Sequence, residues 1–192
     1  MKAFAITIVL LLLTGCAGVG LVATSDPKEK LQQADYLMMQ DRPALAELTI
    51  KDAMRIFQEK GDELGMADAF HAYGNLYKDN SYHGKWAAFF KKEGTYDGTY
   101  MKSIENFNKA MALFQKHSEE SGVVKCLLGI GNAYGLRNEK DKSCDYYRQA
   151  LSRYNRAKEA GNLKVESAIH DKRYKNMGEL IEAFIKHYCE AE

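Results

Sequence analysis

The 192-residue chain predicts an all-α fold of stacked helix pairs, on three observations. Proline is nearly absent, with Pro27 and Pro43 only, while Ala, Leu, Lys, Glu and Met abound, and that composition favours helices. Blocks of sequence also repeat at a fixed offset. "GMADAFHAYGNLY" (65–77) matches "GVVKCLLGIGNAY" (122–134), so Gly65, Gly74, Asn75 and Tyr77 reappear as Gly122, Gly131, Asn132 and Tyr134, each 57 positions later. Within each block, small residues stand where helices would cross and aromatic or aliphatic residues lie one turn away.

The first segment is not part of that fold. Lys2 is followed by an unbroken apolar or small stretch, 3–13, as long as the h-region of a secretory signal and too short for the roughly 20 residues of a membrane span. Its end, Leu13-Thr14-Gly15-Cys16, resembles the lipobox of bacterial lipoproteins. The resemblance implies a signal peptide over 1–15, a diacylglyceryl group on the Cys16 sulfur, cleavage before it and N-acylation of the new amino terminus. The alternative is a plain cleaved signal with an incidental cysteine. Several acyl chains on one residue make a lasting anchor, since each buried methylene adds about 0.8 kcal/mol. Ala17 stands where enterobacterial sorting would need Asp for inner-membrane retention, which favours the outer membrane. Residues 16–26 then form anchor and tether, and Ala17 to Ser25 would span roughly 15–18 Å if flexible.

Without residues 1–15 the chain has 177 residues and carries 26 basic and 26 acidic side chains, so nucleic acid is not an expected partner. The length fits one domain with an adequate core. Cys126, Cys144 and Cys189 remain, an odd count at no recognisable spacing, which argues for buried free thiols over a disulfide framework.

The helical domain is expected over 27–192. Asp26-Pro27-Lys28-Glu29 offers an N-cap, a proline at the first helical position and a glutamate placed for a capping box. "IKDAMRIFQEKGDELG" (50–65) matches "FNKAMALFQKHSEESG" (107–122) at the same offset of 57, and "YYRQALSRYNRAKEAG" (146–161) follows at 40. The native period is therefore 40, with 17 residues inserted in the second unit. Counting back 40 from Gly74 and Tyr77 gives Ala34 and Leu37, so the units run about 27–64, 65–121 and 122–158. A closing stripe of Leu163, Ile169, Tyr174, Met177, Leu180, Ile181, Phe184, Ile185 and Tyr188 predicts a helical cap over 161–190. About seven helices result.

Residues 27–158 resemble tetratricopeptide repeats. Gly is followed three positions on by Tyr in the first helix of a unit (Gly74 and Tyr77, Gly131 and Tyr134), and an aromatic precedes Ala by three in the second (Phe107 and Ala110, Tyr147 and Ala150). The 40-residue spacing is similar to the longer variety of these repeats. Ser103 and Ser143 depart from the pattern, standing where Ala is typical. The resemblance implies an α-solenoid of about three helix pairs with a C-terminal capping helix.

Two surfaces are candidates for partner binding. The insertion, near 79–100, carries Tyr82, Trp86, Phe89, Phe90, Tyr96 and Tyr100, with a short amphipathic helix expected around Trp86 and Phe90 and breaks at Gly94 and Gly98. Its rings either pack back as extra core, dock a partner or, with Lys85, Lys91 and Lys92, touch the membrane. By repeat register Asp68, His71, Asn75, Lys78, Lys125, Leu128 and Asn132 project toward a concave face. The resemblance implies that Asn75 and Asn132 hydrogen-bond a peptide backbone there; a solvated polar face is the alternative.

No catalytic residue, metal site or cofactor is expected beyond the lipid on Cys16. His71, His83, His117, His170 and His187 fall in no metal-ligand pattern, and no nucleophile-elbow or phosphate-loop motif occurs. The expected partner is another envelope or secreted protein, with no small-molecule substrate. Two functions stay open: a lipid-anchored adaptor for assembly of a secretion or pilus apparatus, or an immunity-type lipoprotein that neutralises a toxic effector arriving in the periplasm.

Overall fold

The computed structural model describes residues 23–163 and 173–190, and these are all-helical. In chain order the helices are α1 (Pro27–Met39), α2 (Pro43–Lys60), α3 (Glu63–Lys78), α4 (Asn80–His83), α5 (Ala87–Lys92), α6 (Met101–Lys116), α7 (Glu120–Leu136), α8 (Lys140–Glu159) and α9 (Met177–Phe184). A single π-helical turn, Ile185–Cys189, continues α9. The expected signal peptide, Cys16 and the tether to residue 22 lie outside the described residues, as do 164–172 with Ile169 and His170.

Local chemistry sets the helix ends. Asp26 Oδ1 accepts from Lys28 N at 2.9 Å and Pro27 opens α1. The reciprocal half of the expected capping box is not formed, because the Glu29 carboxylate accepts instead from Thr24 Oγ at 2.5 Å. Each long helix that turns back into its neighbour ends in the left-handed region, at Asp41, Gly61, Ser118, Asn138 and Gly161. The following N–H then reaches back five residues to a helix carbonyl: Arg42 to Leu37, Asp62 to Phe57, Glu119 to Phe114, Glu139 to Tyr134 and Asn162 to Ala157.

The long helices pack in chain order, α1 on α2, α2 on α3, α3 on α6, α6 on α7, and α7 on α8. Across the pairs α1 also meets α3, and α3 meets α7, so these three form one row. The contacts behind this packing recur with the sequence. A Cβ on Gly65 would lie 2.0 Å from the Phe57 ring, and one on Gly122, 57 residues later, 2.4 Å from Phe114. Gly74 and Gly131 each lie under the aromatic ring of the next helix, with 2.6 Å between such a Cβ and Phe107 or Tyr147. Ser103 Oγ donates to Gly74 O at 2.7 Å and Ser143 Oγ to Gly131 O at 2.8 Å. The two departures from Ala thus make one repeated, buried hydrogen bond between helices.

Two expectations are corrected. Cys144 and Cys189 are not free thiols: their Cα atoms are 5.7 Å apart and the side chains form a disulfide that ties α8 to the turn after α9, while Cys126 stays free and buried, as expected. Sequence spacing hid this pair because the bond joins elements 45 residues apart. The C-terminal stripe is also not helical as far back as expected. Arg173–Asn176 is irregular, and α9 starts only at Met177, where Asn176 Oδ1 accepts from Glu179 N at 3.0 Å and fixes the boundary. No helix of the described residues is long and apolar enough to cross a membrane.

Candidate recognition groove

The row of α1, α3 and α7 floors a groove of about 800 Å³, closed on one side by Met177 and Leu180 of α9. All seven side chains expected on the concave face line it: Asp68, His71, Asn75 and Lys78 from α3, and Lys125, Leu128 and Asn132 from α7. Its α1 residues are Lys28, Leu31, Gln32, Asp35, Met38 and Met39, which sequence reasoning had not named. The signal was present, since a step of 40 back from Asp68, His71, Asn75 and Lys78 lands on Lys28, Leu31, Asp35 and Met38. Met177 and Leu180 lie outside the repeat and carried no such signal.

The register arranges the floor in layers. Lys28, Asp68 and Lys125 form a charged layer; Leu31, His71 and Leu128 an apolar one; Asp35, Asn75 and Asn132 a carboxylate and amide one. From Asp68 to Lys78 the floor runs about 15 Å at 1.5 Å per helical residue, the length of about four or five extended residues. Asn132 is oriented by Tyr147, whose Oη donates to Asn132 Oδ1 at 2.7 Å, so the amide N–H₂ is the end presented to the groove. Asn75 Nδ2 makes a long 3.5 Å contact with His71 Nδ1.

Electrostatics follow from the concavity. Burial, with Lys125 and Lys78 facing it, pushes His71 down to about 3, and its ring meets Phe107 edge-on at 5.4 Å. His71 is therefore a neutral imidazole. Burial raises Asp68 against the pull of Lys125 and Lys28, and burial lowers Lys78. Because the folded state refuses a proton that the unfolded histidine takes at about 6.5, the His71 contribution is complete above pH 6.5 and lost as pH falls toward 3. Between pH 7.5 and 4.5 the melting temperature of the native chain is expected to fall more steeply than that of His71→Gln, by thermal unfolding across that range. Equal slopes would contradict it.

The insertion is a second, separate place. It joins α3 to α6 through α4 and α5, and most of its rings turn inward. Tyr82 and Phe90 are fully buried, with ring centroids 4.5 Å apart. Tyr82 Oη donates to Thr95 O and accepts from Asp97 N, both at 2.8 Å, and burial lifts this hydroxyl to about 12. Asp97 in turn accepts from Thr99 N at 2.8 Å and Lys102 N at 2.7 Å, which outweigh its burial and lower its pKa. Trp86 is half-buried: its Nε1 donates to Asp41 O at 2.9 Å, while Lys85 Nζ pairs with Asp41 Oδ2 at 2.7 Å. The insertion is thereby clamped to the α1–α2 turn.

Of Trp86, Phe89, Phe90 and Tyr96, the insertion rings that could dock a partner, Phe90 is withdrawn from solvent and Tyr96 stacks on Tyr82 at 5.5 Å. Phe89 alone is exposed, at 41%. Trp86→Ala is expected to cost about 2 kcal/mol through the lost hydrogen bond and packing, with the helical circular dichroism intact. Phe89→Ala should stay within about 0.5 kcal/mol of the native chain. Urea midpoints of the two variants separate these outcomes.

Among the described residues no group of histidine, cysteine, aspartate and glutamate is placed to hold a metal. No protein-family model matches this chain, and no curated protein matches it.

Proposed function

We propose that the chain is a lipid-anchored adaptor of the bacterial cell envelope, a tetratricopeptide-like solenoid whose groove grips an extended segment of another protein. The observation that carries the reading is the groove itself. Seven side chains chosen by repeat register line one concave surface, with amide groups over an apolar layer. Such a surface suits a peptide: Asn75 and Asn132 meet main-chain groups, and a side chain of the peptide settles between Leu31 and Leu128. The recurrence of the Gly–aromatic contacts and of the Ser103 and Ser143 bonds supports the solenoid.

Export to an oxidising compartment is supported by the Cys144–Cys189 disulfide, since such bonds persist outside the cytosol. The lipobox-like Leu13-Thr14-Gly15-Cys16 supports attachment to a bilayer through Cys16, with the outer membrane favoured by Ala17. Intact mass of the mature protein tests the anchor: a cysteine start carrying acyl chains is expected, and an unmodified Cys16 would sink it.

The binding reading is tested by pull-down with the lipidated protein. Asn75→Ala with Asn132→Ala is expected to lose the partner that the native chain retains, with unchanged helicity. Retention by the double variant would place recognition elsewhere. Recovery of a multimeric secretion or pilus component fits the adaptor, whereas a lone toxic effector would mark the chain as an immunity-type neutraliser.

A further inference from the structure

We infer that α9 is a detachable wall of the groove, latched by the Cys144–Cys189 disulfide, so that Met177 and Leu180 help select the occupant only while that bond is intact. The inference rests on the groove being the recognition surface.

Four observations converge on it. First, Met177 and Leu180 line the groove beside Leu128, Gly129 and Asn132 of α7. They add two apolar side chains to a wall that the repeats leave open. Second, the eight residues of α9 and the five of the π-helical turn that continues it reach only the roughly 12–15 below which an isolated helix is marginal in water. Gly178 and Ile181 are the fully buried residues of this helix, and Met177, Leu180 and Phe184 pack half-buried against the core, so most of its apolar side chains keep one side in solvent. Third, the disulfide joins the turn directly after α9 to Cys144 near the start of α8. Fourth, the latch reaches the groove floor through rings. Phe184 and Tyr188 flank Tyr147 at 5.7 and 6.3 Å, and the Tyr147 hydroxyl orients Asn132.

The chemistry of release is thiol–disulfide exchange with a dithiol reductant. Cys144 is buried and Cys189 half-buried, so the reductant's thiolate attacks Cys189 Sγ. The Cys144–Cys189 bond breaks and Cys144 leaves as a thiolate that takes a proton. The second thiol of the reductant then displaces Cys189 from the mixed disulfide and Cys189 takes the other proton. The reductant ends as a disulfide, and two electrons have passed to the protein. Freed of the latch, α9 swings away with Met177 and Leu180, and Tyr147 loses its cover over Asn132. Cys126 takes no part, since it is buried in the body of the fold and burial pushes its thiol up.

Hydrogen exchange on the full chain, oxidised and in dithiothreitol, tests this. On reduction, amides of Met177–Cys189 are expected to lose protection by about thirtyfold, the equilibrium factor for the lower end of a disulfide's usual worth, while those of α3 and α6 stay unchanged. Cys144→Ser with Cys189→Ser should show the same loss without reductant, and reoxidation of the native chain with glutathione disulfide should restore protection. Hydroxyl-radical footprinting should show Met177 becoming severalfold more reactive in the reduced protein. Undiminished protection of α9 after complete reduction would overturn the inference. So would loss of protection in α7 and α8 together with α9, because the bond would then hold the body and not a wall. These readouts follow α9 itself, so they can fail while the groove still binds, and binding can fail while α9 still detaches.

Discussion

Phe107→Ala is expected to lower the unfolding free energy by about 3–5 kcal/mol, the upper range for a single core truncation. Phe107 is fully buried where α3, α6 and α7 meet. Two glycines, Gly74 and Gly129, make room for its ring, with 2.6 and 2.5 Å between a Cβ at those positions and the ring carbons. The His71 ring also rests against it, at 5.4 Å. Removing the ring leaves a cavity lined by backbone that cannot close, so both the transfer and the cavity contributions are lost. The melting temperature should fall by roughly 2–4 °C per kcal/mol for a chain of this size. A drop of only a few degrees would show that the three helices repack around the gap and that Phe107 is not their common centre.

Tyr82→Ala carries the second large effect, about 3–5 kcal/mol, and confines its damage differently. Tyr82 is the hub of the insertion: Tyr77, Phe90, Tyr96 and His83 surround it with ring centroids between 4.5 and 5.5 Å. Its hydroxyl also closes the loop by bonding Thr95 O and Asp97 N. Tyr82→Phe keeps the packing and removes only these bonds, which should cost about 1–3 kcal/mol because Asp97 N loses a partner. Limited proteolysis reads the difference. Cleavage between Gly84 and Gly98 is expected to rise sharply for Tyr82→Ala and modestly for Tyr82→Phe, while α7 and α8 stay resistant. General cleavage along the chain would mean that the insertion is needed for the whole fold and is more than an addition to it.

These two residues also show what the sequence discloses and what it withholds. Phe107 was legible as a repeat position, because an aromatic three residues before Ala110 recurs as Tyr147 before Ala150. Periodicity reports such residues since the same contact is made twice, with Gly74 in one unit and Gly131 in the next. The groove was half legible for the same reason: register named the α3 and α7 side chains, and the step of 40 that places Ala34 and Leu37 in α1 also sets Lys28, Leu31, Asp35 and Met38 on its groove face. The insertion stands outside the period, so its rings could be counted and their direction could not. Phe90 and Tyr82 turn inward while Trp86 bonds Asp41 O, 45 residues away, a contact that no local pattern encodes. The disulfide and the groove contacts of α9 were hidden likewise, being tertiary contacts made once.

The repeated helix ends explain how a chain with so little proline turns so regularly. Asp41, Ser118 and Asn138 adopt the left-handed conformation without being glycine, and each is followed by the same backward hydrogen bond. That bond meets a helix carbonyl that would otherwise lack a partner at the helix end. Ion pairs decorate the same corners: the exposed Lys116 pairs with Glu63 at 2.7 Å and contributes little, whereas Arg153 grips Glu120 with two part-buried hydrogen bonds. Packing of the inner row, more than charge, shapes the groove.

A photo-crosslinking residue placed at Asn132 or Asn75 in the full chain, expressed in a bacterial envelope, reads most directly whether the groove is a recognition surface. One discrete protein adduct is expected from both groove positions and none from Gln149, an exposed residue on α8. Absence of any adduct from the groove, or the same adduct from Gln149, would contradict the groove as the place where this protein meets its partner.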